Sequence, residues 1–272
     1  PRSFGLFKEA MIVWGKEKLW IKNTIADNMD IPKEKVYFVE HHLSHAASAF
    51  LCSPFDEAAI MTVDGAGEWA TGTLGTGRGK EVNIFCEQHF PHSIGLLYSV
   101  FTAFLGFEVN EGEYKVMGMA PYGEPLYVDK IKEIISVEPD GSFRMDMDYF
   151  SYHYHTSRAF TKKFEALFGP SRRPGSRFVT EKTSIYDDKI PPGKEEIKQN
   201  QYYADIAASI QKVTEEILIN TAGYLHKKTS LKNLCIGGGV GLNCVANRRI
   251  LGETDFEKIF IQPAAGDSGG AI

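Results

Sequence analysis

The chain has 272 residues, is 43% hydrophobic and 24% charged, and carries a formal net charge of −5. This length allows one large domain or two lobes with a real apolar core. The mild acidity disfavours nucleic acid as a partner, and no apolar run approaches the roughly eighteen residues of a membrane span or resembles a signal peptide. The four cysteines form no C-x-x-C pair, so we expect reduced thiols and a cytoplasmic protein.

Neither end of the sequence resembles the natural terminus of a protein. The sequence opens on Pro1 rather than on methionine, and it stops within a glycine-rich stretch that reads as the start of a helix. We therefore expect residues 1–272 to be a fragment of a longer protein.

The first part of the chain alternates helical and extended patterns. Apolar spacing predicts one or two helices over 6–29, and residues 36–39 predict a short strand. A helix should begin at the histidines that follow and end before Pro54. Buried or alternating patterns then predict three strands over 58–63, 70–75 and 82–87, with a turn at 77–80 between the last two.

The second part continues with longer helices. A strong helical pattern covers 94–105, and a shorter one covers 126–135. Composition shifts over 139–195 toward aromatic, basic, proline and glycine residues, which predicts an insertion with a short helix at 157–168. The longest helix is predicted at 195–228. After this helix, the pattern predicts a strand at 234–236, a helix at 242–251, a strand at 256–262 and the start of a helix at Asp267.

Alternating strands and helices predict an α/β fold. We expect the early strand–hairpin–helix unit and the late strand–helix–strand unit to form two halves around a cleft.

Three imidazoles lie within the five residues 41–45. His41 and His45 are one helical turn apart and so share a face, which allows both to bind one cation. Protonated histidines at a helix N-terminus oppose the helix dipole, whereas neutral metal-bound rings do not. A solvated histidine pair is the alternative interpretation. His42 points to another face and receives less weight.

Two aspartates follow predicted strands. Asp64 ends the strand at 58–63 and is followed by Gly65, which suggests a carboxylate with bare backbone amides facing a ligand, or else a plain turn. Asp267 follows the strand at 256–262, where it either caps a helix or supplies a third metal ligand. Two histidines and one carboxylate with open positions suit iron(II) or another divalent metal.

Two glycine-rich stretches suit a nucleotide. Gly237, Gly238, Gly239, Val240 and Asn243 lie between a predicted buried strand and a helix, where backbone N–H groups and the helix dipole can hold a phosphate. The pattern is neither G-x-G-x-x-G nor a Walker A loop, and a flexible glycine turn is the alternative. Gly112, Glu113 and Lys115 lie in a second polar stretch that suits phosphate or ribose, unless it is simply a solvated loop.

Taken together, these motifs resemble the nodulation-type O-carbamoyltransferase family. The matching strings are VEHHLSHAASAF, TVDGAGEWATGTLGTGRG, SIGLLYSVFTAFLGF, NEGEYKVMGMAPYGEP, NLCIGGGVGLNCVANRRIL and FIQPAAGDSGGA. They extend from residue 39 to residue 271, so the resemblance covers most of the chain. The region around 139–195 matches least.

The resemblance implies an actin-like, sugar-kinase-like fold of two ribonuclease-H-like lobes around a nucleotide cleft. It implies iron(II), or another divalent metal, held by His41, His45 and Asp267, with Asp64 beside it. An adenine nucleotide would bind across 237–243 and 112–115. Full-length members also carry a C-terminal domain that makes carbamoyl-adenylate from carbamoyl phosphate and ATP. That domain and an N-terminal strand segment with a further histidine would be missing here.

The expected activity is transfer of a carbamoyl group from carbamoyl-adenylate to a hydroxyl of a small-molecule or sugar acceptor. Asp64 would position that hydroxyl or take its proton, and His41 is the second catalytic candidate. Magnesium is a further possible cofactor, and a homodimer is a possible assembly. An ATP-dependent sugar kinase of the same fold, a tRNA-modifying relative and a non-catalytic nucleotide-binding module are the alternatives, and the net charge of −5 argues against the tRNA-modifying one.

Overall fold

The structure, a computed structural model, describes residues 4–183 and 192–271. The helices are α1 (Phe4–Lys16), α2 (Ile21–Met29), α3 (His41–Leu51), α4 (Ile94–Phe104), α5 (Glu113–Met119), α6 (Val128–Lys132), α7 (Lys162–Phe168), α8 (Lys194–Thr229) and α9 (Cys244–Glu253). The strands are β1 (Glu57–Gly67), β2 (Ala70–Arg78), β3 (Glu81–His89), β4 (Ile135–Val137), β5 (Phe143–Met145), β6 (Asn233–Gly237) and β7 (Lys258–Ile261). Short 3-10 turns occur at Lys18–Trp20, Lys33–Lys35, Ala120–Tyr122, Glu181–Thr183, Gly239–Leu242 and Asp267–Ala271.

A five-stranded mixed sheet with the strand order β3-β2-β1-β6-β7 organises the molecule. The strands β1, β2 and β3 form an antiparallel meander, whereas β6 and β7 run parallel to β1. Residues 58–63 of the central strand are all buried, because helices cover both faces. The carboxyl ends of β1, β6 and β7 therefore meet at one edge of the sheet, which is where ligands bind in open α/β sheets.

This topology corrects the expectation of two halves around a cleft. The early unit supplies β1–β3 and the late unit supplies β6 and β7, and all five strands share one sheet because β1 pairs directly with β6. The periodic pattern correctly identified the strands, but it carries no information about which of them are neighbours. The coarser prediction of an α/β fold is confirmed.

The two faces of the sheet are covered differently. The helices α4 and α8 and the insertion pack on one face around Phe101, Phe104, Phe164 and Phe168, all essentially fully buried. The helix α3 covers the other face through Phe50, which packs with Ile60 and Cys235. Complete burial of one such aromatic side chain contributes about 2–3 kcal/mol. The insertion is thus part of the core rather than an appendage.

Most of the predicted helices are confirmed, and the exceptions have local causes. The strand predicted at 36–39 is wrong: these residues are extended but have no pairing partner among the described residues. The insertion helix starts only at Lys162, and Asp267 opens a short 3-10 turn. Residues 184–191 of the predicted long loop lie outside the described residues. In the part of the chain that the structure covers, no helix is long and apolar enough to cross a membrane.

Candidate metal centre

The first turn of α3 carries His41 and His45 toward the carboxyl end of β1. The helix begins directly after an extended residue, Glu40, whose carbonyl accepts the hydrogen bond from the Ser44 N–H. Because residues four apart share a helical face, the two imidazoles lie side by side with Nε2 atoms 3.0 Å apart. His45 is buried and His41 is about a quarter exposed, so the pair opens to solvent on one side only.

Two carboxylates complete the cluster. Asp64 Oδ2 lies 3.1 Å from His41 Nε2 and 3.0 Å from His45 Nε2. Asp267 Oδ1 lies 3.3 Å from His41 Nε2 and 3.4 Å from His45 Nε2. All four donor atoms lie within 4.8 Å of one another. The structure thus brings together every residue predicted to bind or adjoin the metal, from three parts of the chain that are distant in sequence.

The spacing of these atoms fits a shared cation. Ligand atoms bonded at about 2.1 Å to one ion are about 3.0 Å apart at right angles and about 3.4 Å apart at tetrahedral angles. The observed separations cover this range. His41 Nε2 and His45 Nε2 face each other, and both face Asp64 Oδ2. Hydrogen bonds cannot satisfy all three contacts at once, because a ring nitrogen that carries its proton can donate but cannot accept. A nitrogen- and carboxylate-ligated divalent metal such as iron(II) or zinc would satisfy all of them.

Asp64 is fixed by its other oxygen. Its Oδ1 accepts hydrogen bonds from the N–H groups of Gly65, at 2.8 Å, and Gly239, at 3.2 Å. Burial tends to raise the pKa of this carboxyl, but the hydrogen bonds from His45, His41 and Gly65 outweigh it and hold the pKa well below its usual range. The lowered pKa favours a negatively charged Asp64, which is suited to binding a cation, and makes this carboxylate a weak proton acceptor.

Close backbone approach sets the position of His41. A Cβ atom placed on Gly67, at the end of β1, would overlap the His41 ring. The strand end and the helix start can therefore touch only because residue 67 has no side chain. Gly67 belongs to the matching string TVDGAGEWATGTLGTGRG, but its close contact with His41 joins two elements and is visible only in the structure.

The loop that carries Asp267 is tied to its surroundings by backbone groups. Ser48 Oγ on α3 donates to the carbonyl of Gly269 at 2.9 Å, and the Gly238 N–H donates to the carbonyl of Ala265 at 2.8 Å. The Asp267 side chain itself is 77% exposed. Asp267 is thus the most exposed side chain of the four candidate ligands.

His42, set aside in the sequence analysis, has a structural task. Its Nε2 donates to the Ala70 carbonyl at 3.1 Å, so Nδ1 is left to accept from the Thr62 hydroxyl at 2.7 Å. Burial, together with the neighbouring His45 and His41, lowers the pKa of His42 to about 4. A neutral His42 therefore joins α3 to β1 and β2 beside the cluster without contributing a ligand.

The predicted nucleotide loop lies directly against this cluster. Gly238 adopts a left-handed φ of +88°, and a Cβ on Gly237 would come within 2.8 Å of the His45 carbonyl oxygen. The first-turn N–H groups of Cys244 and Val245 at the start of α9 have no acceptor among the described residues. These two groups, on partly exposed residues, are available to an anion.

Asn243 is more occupied than the sequence suggested. Its Oδ1 accepts from the Ala246 N–H and from Gln211 Nε2, while its Nδ2 donates to Gln211 Oε1. The side chain therefore caps α9 and anchors the loop to α8. Val240 is half-buried within the same turn. The contribution of Gln211 was missed, because a glutamine within a long helix has no distinguishing sequence pattern.

The second predicted nucleotide segment adjoins the first. The sulfur atoms of Met117, on α5, and Cys244, at the start of α9, lie 3.9 Å apart. Residues 112–115 form the start of α5 and therefore lie about one helical turn before this contact. Glu113 accepts hydrogen bonds from Ser99 and from the Asn110 N–H, which fixes the start of α5. Lys115 lies over the rings of Tyr114 and Phe107, at 5.7 and 6.0 Å from their centroids. The structure brings the two segments together, and their role with a nucleotide stays a prediction.

The chain is an α/β domain with a candidate metal site. The site lies at the carboxyl ends of the strands, where open α/β sheets bind their ligands. The family model described as "Carbamoyltransferase N-terminus" matches residues 7–272. The chain belongs to this family of enzymes, which confirms the resemblance found in the sequence.

Relatives of known sequence agree with this assignment. An uncharacterized protein of Synechocystis sp. is 46% identical over 282 residues, covering 100% of this chain. Nodulation protein NolNO of Sinorhizobium fredii is 32% identical over 94% of the chain, and nodulation protein NolO of Bradyrhizobium diazoefficiens is 31% identical over 86%. The chain spans 42%, 33% and 37% of the length of these three relatives, respectively.

A structural match adds little. The crystal structure of HypF from T. kodakarensis overlaps with 91% of this chain and 36% of that chain, with a TM-score of 0.41 and 16% sequence identity. That overlap is too weak to bear on fold or function.

Proposed function

We propose that this chain contains the transfer centre of an O-carbamoyltransferase, which moves a carbamoyl group from carbamoyl-adenylate to a hydroxyl of a small-molecule or sugar acceptor. Family membership supports carbamoyl transfer in general. The observation that carries the finer proposal is the convergence of His41, His45, Asp64 and Asp267 beside a glycine loop at one sheet edge. A metal centre and an anion cradle in direct contact suit a reaction on an activated phosphate compound.

The glycine loop and the first turn of α9 would hold the nucleotide part of the donor. The free N–H groups of Cys244 and Val245 and the positive end of the helix dipole favour a phosphate there. Gly239 links this cradle to the cluster, because its N–H donates to Asp64. A phosphate bound on the loop would therefore adjoin the four ligand atoms.

The cluster would hold a divalent cation, iron(II) being the first candidate by family resemblance. When bound, such an ion supplies Lewis acidity toward the carbamoyl or phosphate oxygens. Asp64 acts as a ligand in this proposal rather than as a general base, because the hydrogen bonds that lower its pKa make it a weak proton acceptor. His41 is the more exposed of the two histidines, so in this proposal the acceptor approaches the cluster from the side of His41.

We further propose that the full-length protein has the duplicated actin-like fold of the resemblance, with the present five-stranded sheet as one half. A sugar kinase of that fold would rely on carboxylates and magnesium. It would not need the imidazole pair, so the bound metal distinguishes the two enzymes.

Metal analysis tests the centre. Anaerobically purified wild type should contain close to one equivalent of iron or zinc, and His41→Ala and Asp267→Ala should lose it. His89→Ala is the matched control, since His89 is an exposed histidine paired with Glu87 away from the cluster. Unchanged metal content in both ligand variants would refute the site.

Alkylation tests the nucleotide cradle. Cys244 is exposed at the start of α9, while Cys52 and Cys86 are exposed elsewhere and serve as internal controls. AMP or ATP should slow modification of Cys244 selectively, as measured by peptide mass spectrometry. Equal protection of all three, or of none, would argue against nucleotide binding at this loop.

A further inference from the structure

A buried chain of hydrogen bonds leads from α8 to the first turn of α9. Glu215 Oε1 accepts from Gln211 Nε2 at 2.8 Å, and the Gln211 amide pairs with the Asn243 amide through two hydrogen bonds of 3.0 Å each. Asn243 Oδ1 also accepts from the Ala246 N–H at 3.1 Å. The chain therefore ends on the helical turn that forms part of the proposed nucleotide cradle.

Arg249 joins the two helices at the other end of this chain. Its guanidinium donates to Glu215 Oε2, and it also forms an ion pair with Glu253, four residues further along α9. The Glu215 side chain is only 8% exposed, so protein groups rather than solvent satisfy its oxygens. One carboxylate oxygen of Glu215 thus accepts from α8 and the other from α9.

The order of oxygen and nitrogen in the two paired amides is imposed by their neighbours. An ionised carboxylate only accepts and a guanidinium only donates, whereas a carboxamide can turn over and exchange its oxygen with its nitrogen. The Tyr98 hydroxyl donates to Gln211 Oε1 at 2.9 Å, but a hydroxyl can also accept. Burial raises the pKa of Tyr98, so this hydroxyl keeps its proton and adapts to either amide orientation.

We propose that Glu215 and Arg249 are positioning residues of the nucleotide cradle. Because the Glu215 carboxylate can only accept, Gln211 turns its amide nitrogen toward Glu215 and its oxygen toward Asn243. Asn243 then turns its own nitrogen toward Gln211, which leaves Oδ1 to cap α9. The inference rests on the proposed function, because the capped turn is part of the nucleotide site assigned there.

Glu215→Gln tests this transmission. The new amide oxygen should face Arg249, because turning an N–H group toward a guanidinium costs more than leaving a neutral N–H unpaired. The new nitrogen then faces Gln211, both paired amides turn over, and the Ala246 N–H loses its acceptor. Hydrogen exchange followed by NMR should show the Ala246 amide exchanging about fivefold faster or more, as expected for one lost cap. Glu253→Gln is the matched control and should exchange like wild type, since Glu253 pairs with the same arginine but not with Gln211.

Asn243→Asp is an independent test that remains available if Glu215→Gln does not fold. Aspartate is as good an N-cap as asparagine in an ordinary helix. Here its second oxygen would face Gln211 Oε1, so the carboxylate should leave its place and the Ala246 amide should again exchange faster. In the double variant Glu215→Gln/Asn243→Asp, the reversed Gln211 amide offers its nitrogen to the aspartate. Exchange at Ala246 should then return to the wild-type rate.

The recovery in the double variant separates positioning from a merely structural ion pair, which would lower stability in Glu215→Gln without rescue by aspartate. Wild-type exchange at Ala246 in either single variant, or no recovery in the double variant, overturns the proposal. Failure of the proposed function would appear differently: AMP would leave wild-type Cys244 open to alkylation, while exchange at Ala246 still followed this pattern. Where both hold, AMP should protect Cys244 less in Glu215→Gln than in Glu253→Gln.

Discussion

Two regions of the molecule differ in how well their side chains are packed. At the carboxyl edge of the sheet, His42, His45 and Asp64 each have named partners, and glycine contacts fix their backbones. In the N-terminal segment, residues 4–39, Ala26 and Val36 are the only buried apolar residues among the side chains that the structure describes. Twelve large apolar side chains of the described ones are exposed: Phe4, Phe7, Met11, Ile12, Val13, Trp14, Leu19, Trp20, Met29, Tyr37, Phe38 and Val39.

The residues that form the site lie outside the N-terminal segment. The helices α1 and α2 contact mainly the short turn between them, and Glu9 reaches Thr156 at 3.3 Å. The site instead depends on β1, α3 and the loops after β6 and β7. Substitutions in the two regions should therefore have separable effects.

The largest effect is expected from Asp64→Ala. This change removes a ligand oxygen and leaves the N–H groups of Gly65 and Gly239 without their acceptor. We expect metal affinity to fall by about 100-fold or more and the free energy of unfolding to fall by about 1–3 kcal/mol. Metal titration and urea unfolding measure the two losses.

Asp64→Asn is the matched variant. Its side-chain oxygen can still accept from the two amides, so stability should largely recover while metal affinity does not. Equal metal affinity in wild type and Asp64→Ala would show that Asp64 is not a ligand.

A smaller effect is expected from Gly67→Ala, because the new methyl group displaces the His41 ring. Metal affinity should drop by about tenfold, and overpacking should cost about 1–3 kcal/mol of stability. Gly65→Ala on the same strand is the control, since its Cβ would meet only Leu96 at an ordinary 3.8 Å. If the two variants bind metal alike, close approach of Gly67 does not position His41.

Gln211→Met should act on the glycine loop and on its anchor in the core. It removes both hydrogen bonds to the Asn243 amide and also those to the Tyr98 hydroxyl and to Glu215, so we expect a loss of about 1–3 kcal/mol and weaker protection of Cys244 by nucleotide, with metal content unchanged. Gln201→Met provides the comparison, because Gln201 bonds to Tyr122 and Asp205 on the same helix but away from the loop. Loss of protection in both variants would mean a general effect on α8.

The smallest effect is expected in the N-terminal segment. Trp14→Ser replaces an exposed indole, so the free energy of unfolding should change by no more than about 0.5 kcal/mol and metal content should not change. Urea unfolding followed by circular dichroism measures it. A loss above about 2 kcal/mol would show that the segment packs more tightly than its exposure indicates.

The sequence predicted elements far better than it predicted their arrangement. The strands at 70–75 and 82–87 and the helices at 94–105 and 195–228 were correct, because each has a clear local period. The strand at 58–63 was correct because it is a short continuous apolar run that ends at an Asp-Gly turn. The strand at 36–39 failed because apolar β-formers satisfy the local pattern even where no neighbouring strand pairs with them. The single sheet was missed because the β1–β6 pairing joins segments far apart in sequence.

The candidate site shows a similar limit. His41, His45, Asp64 and Asp267 stand at the end of a strand or the start of a helix, which is why the sequence points to them, and the structure brings their donor atoms together. Their role in binding a metal stays a prediction. Gly67, His42 and Gln211 act through contacts across elements, and no local pattern reveals such contacts. The equivalence of Asp64 with the other three ligand candidates became visible only from distances.

The hydrogen bond from Ser48 to the Gly269 carbonyl joins residues 221 positions apart. The contact therefore closes a loop that contains most of the chain, and the entropy cost of closing a loop grows with its length. Because Asp267 lies at the far end of this loop from His41 and His45, we expect the four side chains to come together only when the residues between them are folded. If the cluster binds a metal as proposed, metal uptake should then depend on folding of both α3 and the loop after β7.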